Sequence, residues 1–294
     1  MLNFSVNTNV GAFLALQNLS QTNQDLGVTQ NRINTGLKVA STKDDSATYA
    51  IAQSLRADIG GLNAVKSSLD RAQSTLDVAV SAAESISDVL VTMKEKATAA
   101  SDTGMDEDSR VALQDDFNKL IEQIKSYINS AEFNGSNILT GGATGDKIEA
   151  LLDTDATEKL TVANLDLNGA TGALSKFVLA SDADGMLQVD WSDQAGNVGV
   201  DDAKQSATDV GDAIDAMKAK LSELGSASRQ LTAQQTFVSK LSDTIETGIG
   251  NLVDADLAKE SAQLQALQTK QQLGLQALSI ANQAPQSIMS LFQR

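Results

Sequence analysis

The chain has 294 residues, 22 Lys and Arg against 38 Asp and Glu, and a formal charge of −16 at pH 7, with 41% hydrophobic and only 3% aromatic residues. Such an apolar fraction belongs to folded chains rather than disordered ones. With no His and no Cys, Ser-His-Asp and thiol chemistry, the common zinc sites and disulfides are excluded, and the acidity opposes nucleic acid as a partner, because phosphate binding needs clustered Lys and Arg.

The charge is unevenly placed. Residues 1–60 and 251–294 are each neutral, so the whole excess lies between 61 and 250, and residues 141–202 alone carry −9. No basic side chain precedes Arg32, which argues against a cleaved secretory signal. No apolar run approaches the ~18 residues of a membrane span, so membrane insertion is not expected.

A 3-4 spacing of apolar residues, the seam of a coiled coil, recurs along the chain. It first runs through Ala12, Leu16, Leu19, Asn23, Leu26, Gln30, Ile33 and Leu37, with Asn23 and Gln30 as polar intrusions suited to fixing register. Gly36 interrupts this helix. The Ser, Thr and Asp residues that follow it predict caps for a second helix, with Asp44 and Asp45 at its positive end. The second seam is Leu55, Asp58, Leu62, Val65, Leu69, Ala72, Leu76, Ala79, Ala83, Ile86, Leu90, Met93, Ala97 and Ala100, with only Asp58 off pattern. Its 46 residues make roughly 70 Å of helix at about 1.5 Å per residue. A third helix carries Leu113, Phe117, Leu120, Ile121, Ile124 and Ile128 and is expected to open at Asp108 or Ser109.

Residues 141–202 change character. Gly and Asp cluster there, and β-like runs stand at Leu160 to Leu167, Phe177 to Leu179 and Met186 to Trp191, with Asp184-Gly185 as a hairpin turn between the last two. Helical spacing returns in Ala203, Ala207, Val210, Ile214, Met217, Leu221, Leu224, Ser228, Leu231, Val238, Leu241 and Ile245. A last segment carries Val253, Leu257, Leu264, Leu267, Leu278, Ala281 and Ile288, broken by Glu260 and Gln271. The expected fold is mainly α: a long antiparallel helical rod or coiled coil made by the N- and C-terminal arms, with a small β-hairpin insertion in the middle.

Other motifs have plain readings. Around Asp182, Asp184 and Gly185 the glycine falls at the fourth position rather than the sixth that a calcium loop requires, which leaves a solvated turn. Gly141-Gly142 and Gly145 lack the Gly-Lys-Ser/Thr ending of a phosphate loop and read as a flexible link. Neither a cofactor nor catalysis is expected.

The stretch Arg32-Ile33-Asn34-Thr35-Gly36-Leu37-Lys38-Val39-Ala40-Ser41-Thr42-Lys43-Asp44-Asp45-Ser46-Ala47 resembles the signature of bacterial flagellins, R-(LI)-x-(ST)-G-(LKR)-x-x-x-(SA)-x-K-D-D-(AS)-A. Val6-Asn7-Thr8-Asn9 is similar to the family's opening I-N-T-N. Phe133-Asn134-Gly135 with Asn137-Ile138-Leu139 resembles its F-N-G-x-x-(IL)-L. Toward the other end, Asp254-Ala255-Asp256-Leu257-Ala258-Lys259-Glu260 resembles D-A-D-x-A-x-E, and Ala281-Asn282-Gln283-Ala284-Pro285-Gln286 resembles A-N-Q-x-P-Q. The likeness covers residues 1–140 and 203–294. Thr48-Tyr49 departs from it, standing where the family often has Gly-Leu.

This resemblance implies a structural subunit that polymerises with itself, or with other flagellins, into the helical bacterial flagellar filament used for swimming. It implies export, unfolded, through the flagellar type III apparatus with an export chaperone. Assembly would follow outside the cell under the filament cap, beyond the hook-associated proteins. Residues 1–40 and 254–294 would then be the two parts of an inner coiled-coil domain, residues 41–140 and 203–253 those of a helical rod domain, and residues 141–202 an acidic, β-rich, surface-exposed insertion. Subunit contacts are expected from Asn7, Asn9, Leu19, Leu26, Arg32, Ile33, Gly36, Leu37, Asp44, Asp45, Leu257, Leu264, Leu278, Asn282, Gln283 and Pro285. A flagellin-like hook–filament junction protein and a secreted coiled-coil adhesin are the alternative readings.

Overall fold

The computed structural model describes residues 9–140, 147–167, Leu174, Trp191 and 199–292, with side chains as far as Gln283. Among them the regular elements are α1 (Val10–Thr35), α2 (Ser46–Ala100), α3 (Glu107–Ser130), β1 (Ile148–Leu151), β2 (Lys159–Val162), α4 (Val200–Val253) and α5 (Leu257–Phe292). The fold is mainly α with a small β-hairpin between helical arms. Two compact units share it, one formed by the chain up to Ile59 and from Asp243 onward, the other by Gly60–Ser242.

In the first unit, α1 begins where the Asn9 side chain accepts a hydrogen bond from the Ala12 N–H (3.0 Å). It ends at Gly36, whose φ of 72° is a left-handed conformation that side chains with a Cβ resist. The freed chain pairs with the end of α4: the Lys38 N–H donates to the Val253 carbonyl (2.7 Å) and the Ala255 N–H to that of Gly36 (2.9 Å). Below this junction Val39, Ala52, Ile249 and Val253 form a buried cluster, with Leu37, Tyr49, Leu55 and Ile59 packed against it.

In the second unit the long seam is buried as expected: every position from Leu62 to Ala100 in the 3-4 series lies in the core, whereas Asp58 is exposed. The facing helix supplies Ala203, Val210, Met217, Leu224, Leu231 and Val238, one per heptad. Gln73 donates to the Ser228 hydroxyl (3.0 Å) and Gln235 to Asp70 (3.1 Å), so α2 and α4 run antiparallel. The α3 cap is Asp106, not Asp108 or Ser109. Its carboxylate accepts from the Ser109 N–H (3.0 Å), which starts the helix earlier and puts Glu107 and Asp108 in the first turn, where the helix dipole favours them. The turn before α3 is closed by buried Arg110, which donates to the carbonyls of Ala100 (2.9 Å), Asp102 (3.1 Å) and Met105 (3.1 Å).

After α3 the chain reverses at Phe133–Ser136. The two end residues exchange N–H to C=O hydrogen bonds (3.0 and 3.1 Å), and Asn134 and Gly135 have φ of 52° and 81°, the paired positive values of a type I′ turn.

The insertion differs from expectation. The strand expected over Leu160 to Leu167 is confined to β2, because the N–H groups of Leu165 and Leu167 turn away to the carbonyls of Ile138 (2.8 Å) and Leu139 (3.0 Å). Its partner, β1, was not expected; it pairs antiparallel, with Ile148 opposite Val162 and Leu151 opposite Lys159. The hairpin rests on α2. There the Ser68 hydroxyl accepts from the Leu151 N–H (3.2 Å), and Thr154 approaches so closely that a Cβ on Gly61 would stand 2.7 Å from its methyl group. Lys147 and Lys159 clamp Glu149 at 2.6 and 2.8 Å and hold its carboxyl down at about 2. The runs Phe177 to Leu179 and Met186 to Trp191, with the Asp184-Gly185 turn, lie outside the described residues except for Trp191. That side chain is fully buried, 5.2 Å from the Phe117 ring, and donates to the Ser206 hydroxyl (2.8 Å).

Candidate assembly interface

The paired arms α1 and α5 hold most of the residues expected to make subunit contacts. Their seam shares Ala12, Leu19, Leu26 and Ile33 with the expected one, but α1 is rotated so that Thr22 and Thr29 are buried (3% and 1% exposed) while Asn23 and Gln30 are exposed. Small residues on this side bring the backbones close. Leu19 Cδ1 lies 3.3 Å from where a Cβ on Gly274 would stand, and Thr22 satisfies its hydroxyl on the Asn18 carbonyl (2.9 Å) of its own helix.

Polar contacts align the two helices antiparallel along their length. The Asn9 amide donates to the Ala281 carbonyl (2.7 Å), Gln271 donates to Asn23 (2.7 Å), and Arg32 Nη1 meets Glu260 Oε1 at 3.1 Å. Glu260 is 7% exposed, and its Oε2 is buried without a hydrogen bond. A carboxylate so placed depends on the guanidinium for its charge balance. In the sequence Glu260 breaks an apolar seam and closes a motif; its pairing partner Arg32 on the facing helix explains why it is inside.

The remaining expected residues fall as follows. Leu26, Ile33, Gly36, Leu37, Leu264 and Leu278 are half-buried, whereas Asn282 and Gln283 are exposed. Leu257 is 49% exposed, since the seam of α5 begins one turn later at Glu260. Asn7 lies outside the described residues, and Pro285 falls within α5, beyond the last described side chain. Asp44 and Asp45 organise the junction. Asp44 accepts from the N–H groups of Ala40 (3.1 Å) and Ser41 (2.9 Å) and from the Ser41 hydroxyl (3.1 Å). Asp45 caps α2 through the N–H groups of Ala47 (3.0 Å) and Thr48 (3.1 Å) and the Thr48 hydroxyl (2.7 Å). Hydrogen bonding, chiefly to the Ser41 backbone and the Thr48 hydroxyl respectively, lowers both carboxyls below the ordinary range.

The outer faces of the arms are apolar at one end. Val10 and Phe13 are 71% and 72% exposed and Ile280 is 68% exposed, with Leu14, Leu16, Leu273 and Leu275 also outside. Residues 1–24 and 271–293 contain no charged side chain. Among the described residues no group of three acidic side chains is placed to hold a metal ion, and no described helix is long and apolar enough to cross a membrane.

Comparison with known proteins bears directly on these arms. The bacterial flagellin N-terminal helical region matches residues 6–144, and the bacterial flagellin C-terminal helical region matches residues 207–292. The chain belongs to the flagellin family. Flagellin FljM of Caulobacter vibrioides is 47% identical over 291 residues, 98% of either chain. The flagellin of Brucella melitensis is 35% identical over 297 residues, 98% of this chain and 99% of its own. Among solved structures, a putative flagellar hook-associated protein from Vibrio parahaemolyticus has the same fold at a TM-score of 0.55 and 13% identity, over 72% of this chain and 100% of that one. This flagellin is a structural subunit of the bacterial flagellar filament.

Proposed function

We propose that the subunit polymerises through the outer faces of α1 and α5, with Arg32, Glu260, Asp44 and Asp45 holding those helices in position rather than meeting the neighbouring copy. The observation that carries this reading is the uncovered apolar surface of Phe13, Leu16, Leu273 and Ile280 within residues 1–24 and 271–293, which hold no charged side chain. Burying such surface between copies is favourable at about 25 cal/mol per Å² and brings no like charges together, and contacts repeated head to tail extend into a helix. On this reading the inner coiled coil is made by residues 1–40 and 254–294. The helical rod is made by residues 41–140 and 203–253, and the acidic residues 141–202 face water. Export unfolded by the flagellar type III apparatus with a chaperone, and growth under a filament cap outside the cell, accord with the family.

Removal of residues 1–30 or 265–294 tests the proposal. Both truncated proteins should remain soluble and keep much of their far-UV circular dichroism, yet form no filaments on seeding. Filaments of ordinary length from either one, seen by electron microscopy, would sink the assignment of the arms.

A further inference from the structure

The F-N-G motif lies outside α1 and α5, and its local structure points to chemistry of its own. Asn134 and Gly135 are both exposed at the tip of the two-residue turn. Asn134 occupies the left-handed region with φ 52°, which costs a residue bearing a Cβ more than it costs glycine. Among the described residues nothing fixes its side-chain amide, and the N–H of Gly135 takes no part in the two hydrogen bonds that close the turn, which belong to Phe133 and Ser136. Around Gly135 there is open space: apart from Gly135 and its chain neighbours, no atom lies within 4 Å of where a Cβ would stand. A backbone N–H without a Cβ beside it, an untethered side-chain amide one residue before it, and free access for water are therefore found together.

We propose that Asn134 is a site of spontaneous modification, losing its side-chain amide through a cyclic imide formed with the backbone nitrogen of Gly135. A water or hydroxide base removes the Gly135 amide proton, and the nitrogen adds to Asn134 Cγ. The bond from Cγ to the side-chain nitrogen then breaks, and that nitrogen leaves as ammonia. Water opens the five-membered ring at either carbonyl. Opening at Cγ gives aspartate; opening at the main-chain carbonyl gives isoaspartate, in which the backbone runs through the side chain and gains one methylene. The balance is asparagine plus water to acid plus ammonia, with no oxidant or enzyme. The turn must unlatch its two cross-turn hydrogen bonds for the ring to close, so reaction accompanies local opening. Each event adds a negative charge two residues from Glu132, and the isoaspartate product cannot restore the two-residue turn.

The test uses the full chain, incubated at neutral and mildly alkaline pH and then digested with trypsin. The peptide of residues 126–147 should gain about 1 Da, faster at the higher pH, and fragmentation should place the change at Asn134 with both acid forms present. Asn134→Gln, whose longer side chain would need a six-membered ring, and Gly135→Ala should lose the change. The chain holds a second Asn-Gly pair at residues 168–169, in the separate peptide of residues 160–176, which shows that conditions permit the reaction. A 126–147 peptide of unaltered mass while the 160–176 peptide shifts overturns the proposal, as does an equal gain in Asn134→Gln.

Discussion

At Asp45 one carboxylate receives three hydrogen bonds from the first turn of α2, and Asp44 beside it ties the preceding loop. Both carboxyls are lowered by these bonds, as is the Asp106 carboxyl by Ser109. A group whose carboxyl is lower in the folded than in the unfolded chain stabilises the fold in full above the unfolded value of about 3.9, and that contribution disappears as pH falls through the folded value. Acid titration should therefore lower the stability progressively below about pH 4. Asp45→Ala should lower the thermal midpoint at pH 7 and leave a shallower loss of stability with acid. Asp45→Asn, which keeps the cap but not the charge, should fall between the two. A thermal midpoint at pH 7 unaltered in Asp45→Ala would show that the cap contributes nothing to α2.

Among the helices, spacing alone identified the buried face of α2, because large apolar residues there repeat every three and four positions and leave one solution. The same rule placed α1 on a neighbouring face. Ala12, Leu19, Leu26 and Ile33 are common to two seams, one completed by Leu16, Asn23 and Gln30, the other by Ala15, Thr22 and Thr29. Hydrophobicity favours the first; the structure buries the second, where Thr22 bonds its own helix and small side chains fill the seam. Information of that kind resides in the partner helix. β1 escaped notice for a related reason, as four residues paired across a loop carry too short an alternation to be seen alone. Glu260 was visible as a motif residue, yet its burial follows only once Arg32 is known to lie opposite. Gly274→Leu should wedge Leu19 away, destabilise the pair by about 1–3 kcal/mol and raise the minimum concentration for polymerisation. Polymerisation at the parent concentration would mean that the close approach is dispensable.

Over the whole molecule the −16 charge is unevenly divided. Residues 1–60 and 251–294, which include the proposed contacts, are each neutral, and the acid lies between them. On the proposed reading, copies packed at the arms would meet without repulsion, while like charges between them would keep polymers soluble. Ala, Thr and Gly in the arm seam bury little area, so that helix pair draws less stability from its own interior than the Leu- and Ile-lined core of residues 60–242 does. The position of Trp191 gives this difference an optical consequence. As the single tryptophan of the chain, buried against Phe117, it lies in the second compact unit and none accompanies it in the first. Its emission should be blue in the native protein and shift red only when the core around Phe117 opens. Circular dichroism, which counts every helical residue, should begin to fall at lower temperature as α1 and α5 fray. Coincident transitions from the two signals would mean that the arms and the core melt as one; separated ones would make the lone indole a reporter blind to the arms.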